Sequence, residues 1–585
     1  MQGAGRDAGR LEEAHARGGR EGVGGARLGD EDGRRGDADA ERPDAARNDA
    51  AHGGSKTHGA GEDRTHDDRT LDPRLTESAT GPDDLPSAAV AMLKQEALPD
   101  DEGVIKAGRL AGRSMNQAIW ILAWPVLLQQ TMAAGVGFVD KLLAGNLPSE
   151  IARASMDGVG IGSFVGWFIG IAMTGLGIGG QAIIARGMGS GDLRESHRAL
   201  GQSMLLSLAW GFLVAILMIA LAAPLARYSN LSPAATDACV AYVRTLALGI
   251  PFCGVMMVGG MCLHGAGDAH KPFQIAVWVN VVNVLASWLL SGVAIGAFGA
   301  TIPNPSPLDP TTWGVTGIAA GSSVSYVVGA WLTWRVLRMG VKDLRLENAD
   351  LAIDRAMGSR IVRVGLPNFV EGLAMWFVNL LVLGFIGEVA ERGLGLGTVE
   401  LAESSKEGLV GAHIITVQWE AFSFLPGFAM GTAAGALAGQ YLGAGSARLA
   451  RAAIWRCTLV GMAIMGGAGV VFMTAGEALT RTISDDPVHL ALVPKLLFAA
   501  GSIQVFFALA MVVRNGLRGV GDTKWILGIT VFGCYAVRLP LAWFLGIHLG
   551  YGLVGIWWGL MLELAVRGSM FLARYRFGAW ERIRV

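Results

Sequence analysis

The chain has 585 residues and a formal net charge of −1, a near-neutral total that conceals a split. Residues 1–110 hold 16 Lys+Arg against 24 Asp+Glu, whereas the other 475 hold 32 against 25, so charged residues number 40 in the first part and 57 in the far longer second. A soluble domain is about 25% charged throughout, so these numbers and a mean hydropathy of +0.42 exclude one soluble globule and indicate a polar segment joined to a membrane-embedded body.

Residues 1–112 read as a disordered polar tail. Stretches such as GGREGVGGARLGDEDGRRGDADAERPDAARNDA are dominated by Gly, Ala, Arg and Asp. A segment of this kind buries too little apolar surface to offset its ordering entropy. It has no apolar h-region and is not a secretory signal peptide. Its negative sign and short charge runs do not suit a nucleic-acid arm. A start at Met92 or Met115 is the alternative reading, which N-terminal mass analysis decides.

From Gln117 onward the chain reads as an all-α integral membrane protein with twelve transmembrane helices. Apolar segments long enough to cross a bilayer, about 20 residues each, lie near 117–143, 158–185, 199–223, 236–262, 273–298, 313–337, 361–386, 409–438, 452–474, 489–513, 525–547 and 552–574. Strands of a membrane barrel need only about 9–11 alternating residues and are excluded by length. The first six spans form an N-lobe over 113–345 and the last six a C-lobe over 346–585. Lys and Arg in short connections set the expected orientation. Connections assigned inside carry 21, including Arg186, Lys271, Arg338, Arg514 and Arg518, and those assigned outside carry 7. Both termini then lie in the cytoplasm of a multi-pass plasma (inner) membrane protein. The five cysteines are scattered through apolar runs, which fits neither a disulfide framework nor a zinc site.

The two halves repeat at an offset of 254. Gly177, Gly189, Gly191 and Arg194 match Gly431, Gly443, Gly445 and Arg448, and Leu263, Gly265, Gly267 and Asp268 match Leu517, Gly519, Gly521 and Asp522. Pro125 answers Pro367 at an offset of 242. Six spans per repeat insert both halves the same way up, related by a pseudo-two-fold along the membrane normal, an architecture that suits alternating access around a central cavity.

These motifs together resemble the MATE (multidrug and toxic compound extrusion) family. The resemblance covers 117–578. It rests on Pro125-Val-Leu-Leu-Gln129 followed by Val139-Asp140, on ARGMGSGD after the second span and LAGQYLGAG in its counterpart, on the Gly-rich endings at Asp268 and Asp522, and on Val537-Arg538-Leu-Pro-Leu-Ala542. The resemblance implies secondary active efflux of small organic, often cationic, compounds in exchange for H⁺ or Na⁺. It implies no cofactor. The expected partners are the organic substrate and membrane lipid, without nucleic acid, and the expected unit is a monomer. No phosphate-binding GxxxxGK[ST] or other enzyme signature is present.

Charge at membrane depth is costly and marks candidate function. Asp140, late in span one, stands where the family binds its coupling cation. A carboxylate there can take up a proton, and with more oxygen ligands it could hold Na⁺. Asn283 resembles that residue's polar partner. Ser287, one turn on, stands where several members carry a second Asp, which thins the expected relay to Asp140, Asn283, Ser287 and Ser322. In the other half, Glu420 and Glu371 are candidate coupling acids, and either could instead form an ion pair with Arg538. Glu563 and Arg567 are spaced as a local pair. Gln129, Ser322, Trp376, Trp419 and Arg538 are candidate cavity residues. The alternative within the same superfamily is a lipid-linked oligosaccharide flippase, which needs several cavity-facing cations for a diphosphate; Arg538 and Arg244 are the ones available.

Overall fold

The computed structural model describes residues 104–228, 232–297, 300–394 and 405–583. Twelve long helices make up the body. They are α1 (Met115–Gly145), α2 (Ser149–Ser190), α3 (Leu193–Tyr228), α4 (Pro233–Gly265), α5 (His270–Ser291) and α6 (Pro310–Met339). The second half supplies α7 (Arg355–Arg392), α8 (Ser405–Gly443), α9 (Ala447–Thr474), α10 (Pro487–Gly519), α11 (Thr523–His548) and α12 (Gly552–Phe577). Apart from α1, each contains an apolar stretch sufficient to cross a bilayer. Large apolar side chains on the outer faces, such as Phe212, Leu213 and Ile216 of α3, are exposed. In water that surface would be a liability; against lipid it is the expected exterior.

Polar caps and turn glycines set the helix limits. Ser114, Ser232, Asp309, Asp354, Ser446 and Asp486 accept hydrogen bonds from the first-turn amides that follow them, which satisfies donors that a helix start leaves free. The turns after α2 and α8 place Gly191 and Gly445 at φ of 81° and 86°, and those after α4 and α10 place Gly267 and Gly521 at 84° and 89°. The sequence repeat is thus a repeat of backbone conformation. α11 is distorted, with π-helical stretches at Phe532–Arg538 and Phe544–His548 on either side of Pro540.

The structure changes three expectations. Most helices run a turn or more past their apolar segments, but α5 stops at Ser291, not near 298, because Gly292 turns the chain at φ 69°. A short antiparallel hairpin, β1 (Ile295–Ala297) with β2 (Ala300–Ile302), follows it. Residues 104–112, expected in the disordered tail, are packed: Ile105, Ala107 and Leu110 are buried and Arg109 pairs with Asp268 at 3.1 Å. The remainder of that tail lies outside the described residues. Arg514 and Arg518, assigned to an inside loop, belong to the last turns of α10 and are largely buried.

The helices form two six-helix bundles with matching internal packing. α2 lies on α4 as α8 lies on α10, α3 on α4 as α9 on α10, and α4 on α6 as α10 on α12. One end of the body, the basic end, gathers the turns after α2, α4, α8 and α10 and the link from α6 to α7.

Candidate cation-coupling site and the closed basic end

Asp140 lies one and a half turns from the C-terminus of α1 and is only 4% exposed. The Tyr242 hydroxyl from α4 donates to its Oδ2 at 2.9 Å, and the Ser322 hydroxyl from α6 donates to the same oxygen at 3.4 Å. Asn283 of α5 donates from Nδ2 to Ser322 Oγ at 2.9 Å. Four helices of one bundle therefore converge on a single carboxylate. Space for the Tyr242 ring comes from Gly162 of α2, where any side chain would collide with it.

Two atoms of the cluster are buried without a hydrogen-bond partner among the described residues, Asp140 Oδ1 and Asn283 Oδ1. Both are acceptors, so what they lack is a donor or a cation. No Lys, Arg or His makes an ion pair with Asp140 among the described residues. A buried carboxylate without a countercharge is expensive, and a proton or a cation on Oδ1 removes that cost.

The expected members of the relay divide. Asn283 and Ser322 belong to the cluster. Ser287 is buried but its hydroxyl donates to the carbonyl oxygen of Ile318 at 3.1 Å, away from Asp140. Gln129 sits three turns nearer the basic end of α1, with its Oε1 buried and unpartnered among the described residues. Tyr242 was not singled out in the sequence, where one Tyr in an apolar span looks like any interfacial aromatic.

The acids of the second half make a different kind of site. Glu371 of α7 accepts from Arg518 Nη2 at 2.5 Å, from Thr530 Oγ1 at 2.8 Å and, more distantly, from Arg514 Nη1 at 3.5 Å. Glu563 of α12 is held by Arg567 at 2.9 Å, the local pair expected from spacing, and by Arg538 at 3.0 Å. The expected pairing of Glu371 with Arg538 is therefore replaced, because α10 brings two guanidiniums to Glu371 and α12 brings Glu563 to Arg538. Arg538 also donates to Asn379 Oδ1 at 3.4 Å. Among the described residues Glu420 of α8 forms no ion pair within 4.0 Å, although Arg538 lies close enough to act on it electrostatically. Trp376 meets Phe377 edge-on, and Trp419 donates from its indole to the carbonyl oxygen of Leu479 at 3.2 Å. Trp419 thereby anchors the short helix Gly476–Arg481 and is not gathered with the polar cluster.

The bundles meet at the basic end. α2 and α8 cross there through glycines. The Cα of Gly189 faces the carbonyl oxygen of Gln440, and the Cα of Gly443 faces that of Arg186. These two contacts exchange under the repeat, since Gly189 matches Gly443 and Arg186 matches Gln440. The pseudo-two-fold axis therefore passes through this crossing. Arg186 also donates to the carbonyl oxygen of Val520 at 3.2 Å and Gln440 to that of Gly265 at 2.8 Å. Further out, Arg198 pairs with Asp354, and Arg360 with Glu195 at 2.7 Å. Further along the helices, Phe168 and Trp210 meet Phe369 edge-on across the bundles.

A family model described as MatE matches residues 125–289 and 404–544, more than half of the chain. The chain belongs to the MatE family. The two matched blocks fall in the two bundles, in keeping with the internal repeat of this MatE chain. A relative from Thermotoga maritima named "Probable multidrug resistance protein NorM" is 23% identical over 467 residues, which cover 79% of this chain and 92% of that protein. "Multidrug resistance protein PmpM" from Pseudomonas aeruginosa is 24% identical over 479 residues, covering 81% and 93%. Among solved structures, one described as "Outward-facing conformation of a multidrug resistance MATE family transporter of the MOP superfamily" superposes with a TM-score of 0.68 at 20% identity, over 83% of this chain and all of that one. Another, "Crystal structure of MATE in the bent conformation", gives 0.68 at 20% identity over 80% and 96%. The MatE chain is thus a multi-pass membrane transporter with the fold of these proteins.

Proposed function

We propose that this MatE chain is a secondary active antiporter. It exports small organic, often cationic, compounds in exchange for H⁺ or Na⁺, with Asp140 as the coupling carboxylate. The observation that carries this reading is the Asp140 cluster: a buried carboxylate with one oxygen held by hydroxyls and the other unpartnered among the described residues. An unneutralised carboxylate resists burial in a closed, water-poor intermediate. Occupied by a proton, Na⁺ or an organic cation, it is neutral and the bundles can pass through that intermediate. Exchange follows because the bundles pass it in either direction only with the carboxylate neutralised. Multidrug substrates are supported by the names of the Thermotoga and Pseudomonas relatives.

The basic end is assigned to the cytoplasm by its Lys and Arg content, which puts both termini inside and the protein in the plasma membrane. With the bundles joined at that end, the arrangement is the outward-facing one. Glu420, without an ion pair among the described residues, is the second acid placed to meet a cation, and Glu371 is assigned to the scaffold. A diphosphate-binding flippase is not favoured, because Arg538 is buried against Glu563 and Arg244 is a lone exposed cation on α4.

The test uses full-length protein in liposomes with an imposed pH gradient or an imposed Na⁺ gradient. Dye efflux under one gradient identifies the ion, and Asp140→Asn is expected to abolish it while leaving insertion and melting behaviour intact. Efflux by the Asn variant at the wild-type rate removes Asp140 from the mechanism.

A further inference from the structure

Between the bundles, where α2, α4, α8 and α10 meet, lies a niche of about 50 Å³. Its lining follows the repeat. Ile178 matches Thr432, Gln181 matches Gly435 and Met261 matches Asn515 at the 254-residue offset, and all six border the niche. The niche therefore sits on the pseudo-two-fold axis, just inside the glycine crossing of α2 and α8.

Its chemistry does not follow the repeat. α10 presents Asn515 and Arg518 where α4 has Met261 and His264. Arg518 spends Nη2 on Glu371 and Nη1 on Asn515 Oδ1 at 3.1 Å. Among the described residues its Nε and the Nδ2 of Asn515 are buried with no partner, as is the Nε of Arg514, which does not itself line the niche. All three of these atoms are donors. Arg514 and Arg518 share one carboxylate, Glu371, so one positive charge in the cluster is left unanswered. Buried donors and buried charge are normally satisfied. The missing partner is a hydrogen-bond acceptor with a single negative charge, small enough for the space described. A halide ion or a carboxylate meets that description; a diphosphate is too large.

We propose that this on-axis niche is an anion subsite, formed by Arg518 and Asn515, that takes a compact monoanion: a free halide ion or the carboxylate of a transported compound. Both bundles line it, so it is complete only while the basic end is closed. Anion binding then favours that closed arrangement, by the linkage that any ligand has with the state it fits.

The experiment measures the thermal unfolding midpoint of the full-length protein in lipid nanodiscs as chloride or acetate replaces gluconate, which exceeds the niche. The midpoint is expected to rise saturably with chloride, with acetate, or with both. A response to chloride alone identifies the free ion, and a response to acetate identifies the carboxylate. Arg518→Gln leaves Glu371 paired with Arg514 and removes the surplus charge, and is expected to raise the half-saturating concentration at least about 10-fold, the usual cost of one charged hydrogen bond. Thr432→Leu fills the space without touching an ion pair and is expected to have the same effect, so the test stands even if the Gln variant does not fold. A wild-type midpoint indifferent to both anions, or an equal response in wild type and Thr432→Leu, overturns the proposal.

Discussion

The crossing of α2 and α8 offers a direct test of how the basic end is held shut. A Cβ at Gly189 would stand closer than 3.0 Å to the Gln440 carbonyl oxygen, and one at Gly443 equally close to that of Arg186, whereas ordinary contact begins near 3.4 Å. The obstacle in each case is backbone, not the end of a flexible side chain, so a methyl group is accommodated only if the helices part. Overpacking of this kind costs about 1–3 kcal/mol. Applied to the closed arrangement alone, that cost moves the equilibrium toward an open basic end by roughly 5- to 150-fold. The assay places spin labels at Arg194→Cys and Arg448→Cys, repeat-related and exposed positions beyond the crossing. All five native cysteines are buried, so labelling is selective. Pulsed electron-spin distances in nanodiscs should lengthen in Gly189→Ala and again in Gly443→Ala. If the distances stay at their wild-type values while the melting midpoint falls, the strain is absorbed within one bundle and the crossing is not the closure point.

Other expectations concern the scaffold. Glu371→Gln leaves Arg514 and Arg518 buried without a carboxylate, a change worth about 3–5 kcal/mol. The midpoint should drop sharply, and a variant that melts like wild type yet has lost efflux would instead return Glu371 to the coupling machinery. A chain begun at Met115 loses the burial of Ile105 and Leu110, about 1.5–3 kcal/mol for each side chain. It should melt lower than a chain begun at Val104, and equal midpoints would show that the segment contributes nothing. The backbone amide of Met357, and after it Arg198, hold the Asp354 carboxyl below its usual range. That depressed value means the stabilisation is complete above the ordinary Asp value of about 4 and is lost as pH falls through the folded one. Asp354→Ala should therefore melt below wild type at neutral pH, with the gap closing as pH falls through the depressed folded value; a constant gap would refute the assignment.

Much of the fold was legible because membrane physics is one-dimensional: a span must be long and apolar, and its neighbours must carry the charge. Asp140 stood out for the same reason, as the one acid in its span. Tyr242 did not, since its role depends on α4 meeting α1 and nothing in the local sequence records that meeting. Arg514 and Arg518 were read as loop cations because hydropathy ends the apolar run at Val513. Their partner Glu371 lies more than 140 residues away in sequence, which no local pattern can reveal. The Glu563–Arg567 pair was legible because one helix carries both groups. Ser287 shows the converse: position on the correct face did not decide whether its hydroxyl turned to the carboxylate or to a backbone carbonyl.

The crossing has one more consequence. It is made of peptide groups and bare α-carbons, so dissolved electrolyte has little to screen there. The partly exposed pairs at its margin, Arg198 with Asp354 and Arg360 with Glu195, are weakened by salt. Brine should loosen the margin and leave the crossing shut, making this door a matter of fit more than of charge.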